Sequence, residues 1–138
     1  GYLIAQNFRH SLILPVPSAL PLVGKNPLSQ ELQGTKMEIE ISSYIDNSLI
    51  KKITDDVMFT QYGLSGPAVL NISREISIHL NSEKKSNVYV SLNFLPGKEA
   101  HNLLEERWRK RPNQTIEKSL FGLFPKQNCN CISKGDQH

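Results

Sequence analysis

The segment "MFTQYGLSGPAVLNIS", Met58 to Ser73, restricts the fold of this chain more than any other stretch. A β-prone run ends at Tyr62-Gly63, a glycine-rich turn follows, and Gly66-Pro67 opens a helix. Proline suits the first helical position because the N–H it lacks would find no partner there. Ala68, Val69, Ile72 and Ile76 then share an inward face. Gly63 and Gly66 permit backbone angles or close approaches that a side chain would block. The N–H groups of Ala68 and Val69 are left at the helix start, where an anion or a polarised carbonyl is favoured. Two readings stay open from the residues alone: a plain strand-to-helix junction, or a turn that faces a ligand.

Upstream, "TKMEIEISSYI" is a strand with one buried face, since Met37, Ile39 and Ile41 alternate with Lys36, Glu38 and Glu40. "SLIKKITDD" pairs with it through a turn at Asp46 to Ser48, and "DVMFT" makes a third, shorter strand. "HSLIL", His10 to Leu14, reads as a short strand, and "PVPSALPL", Pro15 to Leu22, as an extended linker. Downstream, Ile76, Ile78 and Leu80 alternate, as do Val88, Val90, Leu92 and Phe94. With "NSEKKS" as the loop and Pro96-Gly97 as the stop, these two runs predict a hairpin.

The pattern then changes. Ala100, Leu103, Leu104 and Trp108 fall on one helical stripe within Lys98 to Arg111, and Pro112 ends it. Glu105 to Arg109 and Glu106 to Lys110 are favourable i,i+4 pairs. "NQTIEKSLFGLFP" predicts a second helix with Asn113 or Thr115 as cap and Ile116, Leu120 and Phe124 on one face. "KQNCNCISKGDQH" shows no period and reads as a frayed tail. Strands first and helices late predict an α+β chain with a β-rich body and a helical lobe. The boundaries follow as 1–14 for an entering segment, 15–97 for the body, 98–125 for the helical part and 126–138 for a flexible tail.

Catalytic constellations are not visible. His10, His79, His101 and His138 are scattered, without a nucleophile or carboxylate partner in the pattern. Asp55 and Asp56 are adjacent strand residues that point to opposite faces, a poor metal clamp. Ser65 lacks the Gly-x-Ser-x-Gly elbow, because Pro67 stands where the second glycine belongs. Cys129 and Cys131 are too close for an internal disulfide and have no companion cluster for zinc. No complete phosphate loop is present. Sixteen Lys and Arg against thirteen Asp and Glu do not predict nucleic-acid binding. The run Arg107 to Arg111 reads as a solvated helix end whose cations complement the helix dipole. The rival reading is an interaction module that uses the basic helix Lys98 to Arg111 for nucleic acid or protein. Reduced cysteines, no membrane-length apolar run and no signal peptide fit a cytoplasmic protein. The start at Gly1, inside an apolar helix-like segment, suggests a piece of a larger protein.

The Phe59-to-Leu70 block resembles a signature of the BaiN-like (YhiN-like) flavoproteins, which are NAD(P)/FAD-dependent oxidoreductases. "GYLIAQNFRHSLILPVPSALPLV", "ELQG" (Glu31 to Gly34) and "SLNFLPG" resemble further blocks of that family, so the likeness covers Gly1 to Pro125. Gln61 departs from the histidine usual there. The resemblance implies a β-barrel-like insert domain with a helical part, not a Rossmann fold, joined to an FAD-binding domain of the same parent chain. Residues 1–14 would then end that preceding Rossmann-like domain. FAD is implied for the parent and no cofactor held by this segment alone. It further implies that Phe59, Thr60, Gln61, Gly63, Leu64, Ser65 and Gly66 face flavin or a small-molecule substrate, in a positioning role and without an assigned acid or base. No catalysis is expected of the segment in isolation.

Overall fold

The computed structural model describes residues 1–13, 15–24, 27–82, 86–97 and 99–134. In chain order the elements are α1 (Tyr2–Asn7), β1 (Leu22–Val23), α2 (Pro27–Glu31), β2 (Lys36–Ile45), β3 (Ser48–Thr60) and β4 (Gly63–Ser65). They are followed by α3 (Pro67–Leu80), β5 (Val88–Asn93), α4 (Ala100–Lys110), α5 (Ile116–Ser119) and α6 (Lys126–Lys134). The architecture is α+β: one curled antiparallel sheet of order β1-β4-β3-β2-β5, with α3 packed on it and α4–α6 at one end.

The long hairpin β2–β3 organises the sheet. Its turn, Asp46-Asn47, has φ of 48° and 66°, the left-handed pair a two-residue hairpin turn needs. Asp and Asn tolerate that region, which is why they serve here without glycine. Ile39 and Ile41 of β2 and Val57 and Phe59 of β3 are buried. They meet Ala68, Val69, Ile72 and Ile76 of α3 and Leu32, just past α2, in the main core. Each large apolar side chain buried this way stabilises the fold by roughly 1.5–3 kcal/mol. A second cluster joins Leu120, Phe124 and Cys129 in the helical lobe. Phe94 connects the two: its ring stacks on Phe59 at 6.1 Å and meets Phe124 edge-on at 6.2 Å.

Several expectations are corrected. "SLIKKITDD" and "DVMFT" form one continuous strand of 13 residues, because Asp55 and Asp56 keep their pairing opposite Ile39 and Glu38. Residues 76–80 are not a strand: α3 runs through to Leu80, and β5 pairs with β2 instead. Ile72, Ile76 and Leu80 fit a helical period as well as Ile76, Ile78 and Leu80 fit a strand, and Ile78 is left partly exposed. Residues 10–13 carry no strand, since no neighbouring strand pairs with them among the described residues. Leu14, residues 83–85 of the expected loop, Lys98 and residues 135–138 of the tail lie outside the described residues.

The helical lobe differs most. The segment read as frayed carries α6, with Cys129 fully buried and Asn128 nearly so. Asn128 accepts a hydrogen bond from Thr35 Oγ1 at 3.4 Å, which ties α6 to the start of β2. Trp108, expected on the inward stripe of α4, is 66% exposed, and Ile116 is 69% exposed. Ala100, Leu103 and Leu104 are the half-buried positions of that stripe. Thr115 caps α5 as expected, its side chain accepting from the Lys118 N–H.

Candidate functional site

The Met58–Ser73 segment folds as β3, a two-residue turn, β4 and the start of α3. Phe59 pairs with Leu64, and Thr60 with Gly63, across the tight Gln61-Tyr62 turn. The Thr60 hydroxyl donates to the Gly63 carbonyl at 3.0 Å and stiffens that turn. The backbone of Phe59 is also held from outside: its N–H donates to Thr35 O at 3.0 Å and its carbonyl accepts from Gly34 N–H at 2.9 Å. "ELQG" thus ends α2 and braces β3.

The two glycines have a structural cause. Leu22 and Val23 of β1 lie against Leu64 and Gly63, so close that a Cβ on Gly63 would meet backbone. Gly66 has φ of 98° and precedes the helix, and a Cβ there would lie 2.7 Å from the Asp56 carbonyl oxygen. Both approaches are made by the chain's own backbone. The space beside each glycine is filled by a carbonyl of this chain, so neither glycine needs a ligand to account for it.

Of the seven expected site residues, Phe59 and Leu64 are buried in the core, Gly63 is buried, and Thr60, Ser65 and Gly66 are half-buried. Gln61 alone is exposed, beside Tyr62 at 66% exposure. Phe59, Gly63 and Leu64 also line a groove of about 770 Å³. It runs between β1, the end of α3 and the edge strand β5, with Leu28, Leu80 and Val90 among its walls. That volume suits a small organic ligand, and cavities of this kind are mostly apolar with few polar groups. Among the described residues Tyr89 is the one titratable side chain in the lining. The described walls are thus suited to holding an apolar ligand and supply no carboxylate or imidazole. Sequence reasoning missed it because its walls come from four separated segments; the alternation in Val88 to Leu92 was its only local sign.

Other titratable groups are used structurally. His79 Nδ1 lies 2.9 Å from the Glu75 carbonyl one turn earlier on α3. Asp56 pairs with Lys36 at 2.7 Å, and the Asp56 hydrogen bond and charge push the Lys36 ammonium above its ordinary value. Burial pushes the Cys129 thiol up, with the Glu117 charge adding to it. Among the described residues no three His, Cys, Asp or Glu side chains gather as a metal site.

The helical lobe holds a second recess, of about 310 Å³, between the end of α4 and α5. Arg107 builds it: one guanidinium nitrogen donates to Ser119 O at 2.7 Å and Phe121 O at 2.9 Å. Lys110, Arg111 and Lys118 share its rim.

Comparison with known proteins places residues 16–138 in a match to the model of the "HI0933-like protein barrel and H2TH domain". The chain is 30% identical over 131 residues to the 3-dehydro-bile acid delta(4,6)-reductase of Clostridium scindens, covering 92% of this chain and 31% of the relative. It is 31% identical over 127 residues to the ribosomal RNA dihydrouridine synthase of Escherichia coli, covering 92% and 30%. The enzyme of the same description from Haemophilus influenzae is 26% identical over 129 residues, covering 92% and 29%. The chain thus spans about three-tenths of the length of these curated relatives.

Proposed function

Because this chain belongs to the family of HI0933-like protein barrel and H2TH domains, we propose that it is the insert domain of an FAD-dependent, NAD(P)H-linked oxidoreductase. A delta-reductase and a dihydrouridine synthase share one chemistry: two hydrogens are added across a carbon–carbon double bond conjugated with a carbonyl. The reaction assigned to the parent is of that class. FAD, when bound by the parent, would supply the hydride. The observation that carries the reading is the family match over nearly the whole chain, residues 16–138.

Within that reading the segment positions and covers. The Gln61-Tyr62 turn is exposed yet braced by Thr60 and by the β1 backbone, a rigid projection suited to meet another domain. Gln61 offers a neutral amide that donates and accepts hydrogen bonds without moving a proton. Ser65, half-buried at the end of β4, adds a hydroxyl that donates and accepts. The apolar groove beside Phe59 and Leu64 keeps water from the face it covers. Tyr2, Leu3, Ile4 and Phe8 of the entering segment are exposed and suit packing against the flavin-binding domain of the parent.

A visible spectrum of the purified full-length protein tests the reading. Flavin bands, bleached by NAD(P)H under anaerobic conditions, are expected. A colourless protein that cannot be reconstituted with FAD sinks it.

A further inference from the structure

We propose that the helical lobe is an RNA-binding surface, with the recess between α4 and α5 seating backbone phosphate and Trp108 stacking on an unpaired base. Charge is the first ground. Between residues 98 and 126 the sequence has seven Lys and Arg against four Asp and Glu, while the rest of the chain has nine against nine. The whole formal charge of +3 thus resides in this lobe. Polyanion binding depends on such local concentration of charge rather than on the total.

Geometry is the second ground. Arg107 is fixed by its two carbonyl contacts, so the floor of the recess holds a guanidinium in place before any ligand arrives. Lys110 is shared with Glu106, but Arg111 and Lys118 are exposed and form no ion pair among the described residues. Gln114 adds an amide at the rim, and Lys126 lies 5.7 Å over the Phe121 ring. A phosphate is small against the roughly 310 Å³ of the recess, which leaves room for its flanking sugar.

Trp108 is the third. An inward tryptophan would be core, but this one is 66% exposed between Arg107 and Arg109 and one turn before Arg111. An exposed aromatic ring among cations is the stacking platform that single-stranded nucleic acid uses, in loops above all for RNA. A steroid-like substrate would need neither the cations nor the ring. The relatives named as ribosomal RNA dihydrouridine synthases support RNA as the polyanion. The inference deepens the function proposed above, and rests on it only for the claim that the bound RNA is also the substrate.

The test uses the full-length protein and a fluorescein-labelled RNA stem-loop with a uridine-rich loop, read by anisotropy over a salt series. Wild type is expected to bind with a steep salt slope. Arg111→Gln with Lys118→Gln should weaken binding about tenfold and reduce the slope by about one per lost contact. Trp108→Ala should weaken binding by roughly tenfold with the slope unchanged, because stacking releases no counterions. Unchanged affinity and slope in the double variant overturn the RNA site, and equal affinity for duplex DNA overturns the choice of RNA loop. The flavin spectrum separates the two proposals. A yellow protein with insensitive RNA binding leaves the flavoprotein standing, and a colourless one with the expected slopes leaves the RNA site standing.

Discussion

The carbonyl oxygen of Leu22 lies 2.0 Å from where a Cβ on Gly63 would sit. No rotamer change relieves that contact, because both partners are backbone. Leu22 and Val23 are therefore able to join the sheet as β1 only while position 63 is glycine. Asp56 O bears the same relation to Gly66 at 2.7 Å, with a left-handed φ in addition.

Gly66→Ala is expected to cost at least about 2 kcal/mol, combining the steric contact with a disfavoured φ. Gly97→Ala serves as the control. Its φ is 69° but open space surrounds it, so the cost should be about 1 kcal/mol. Urea denaturation of the three proteins checks the order, and equal midpoints for the two variants would contradict the contact.

Phe94→Ala should loosen the lobe more than the sheet. Phe94 touches Phe59 on one side and Phe124 on the other. Removing the ring from this half-buried position is expected to cost about 2–3 kcal/mol, below the range for a fully buried phenylalanine. Native-state hydrogen exchange should then quicken in α6 while the β2–β3 amides keep their protection. Uniform quickening would mean that the two clusters open as one unit.

Cys131 should alkylate before Cys129 in the native protein. The thiolate is the reacting form, and burial with the Glu117 charge raises the Cys129 thiol above its ordinary value. At a given pH Cys129 therefore presents less thiolate, and its sulfur is also shielded, whereas Cys131 is half-exposed. Raising the pH speeds both without reversing the order. Timed iodoacetamide labelling with mass spectrometry reads it directly.

Gln61→Ala should leave stability within about 0.5 kcal/mol, since the side chain is exposed. If the turn meets flavin or substrate in the parent, turnover falls by about tenfold with the flavin content unchanged. Full activity in this variant removes Gln61 from the site.

The legible part of this fold lies where one rule acts alone. Met37, Ile39 and Ile41 alternate cleanly, Pro67 opens α3, and Thr115 caps α5. Two rules collide at Ile76–Leu80, where periods of two and of 3.6 share residues 76 and 80; packing against β3 decided for the helix. Helix α6 was hidden because its inward positions are Cys129, Cys131 and Ile132, and cysteine weighed as a thiol rather than as the small apolar residue it is in this core. Trp108 was misplaced because α4 buries nothing fully, so the stripe predicted a face with nothing to cover it. At the candidate site, the position of the turn was readable from Gly66-Pro67. That its glycines answer to Leu22 and Asp56 was not, because those neighbours lie 41 and 10 positions away in the chain.

Strand β5 ends the described sheet, with β2 on one side and no strand on the other. Its Val88, Val90 and Leu92 also wall the groove, so an unpaired strand rim and an apolar surface coincide. Such a rim accepts any extended chain that reaches it, a second molecule included. Preparations of the chain at high concentration should accordingly be limited by edge-to-edge assembly rather than by unfolding. A single lysine at Ser91 or Asn93, both exposed on this strand, is the change that should keep them clear.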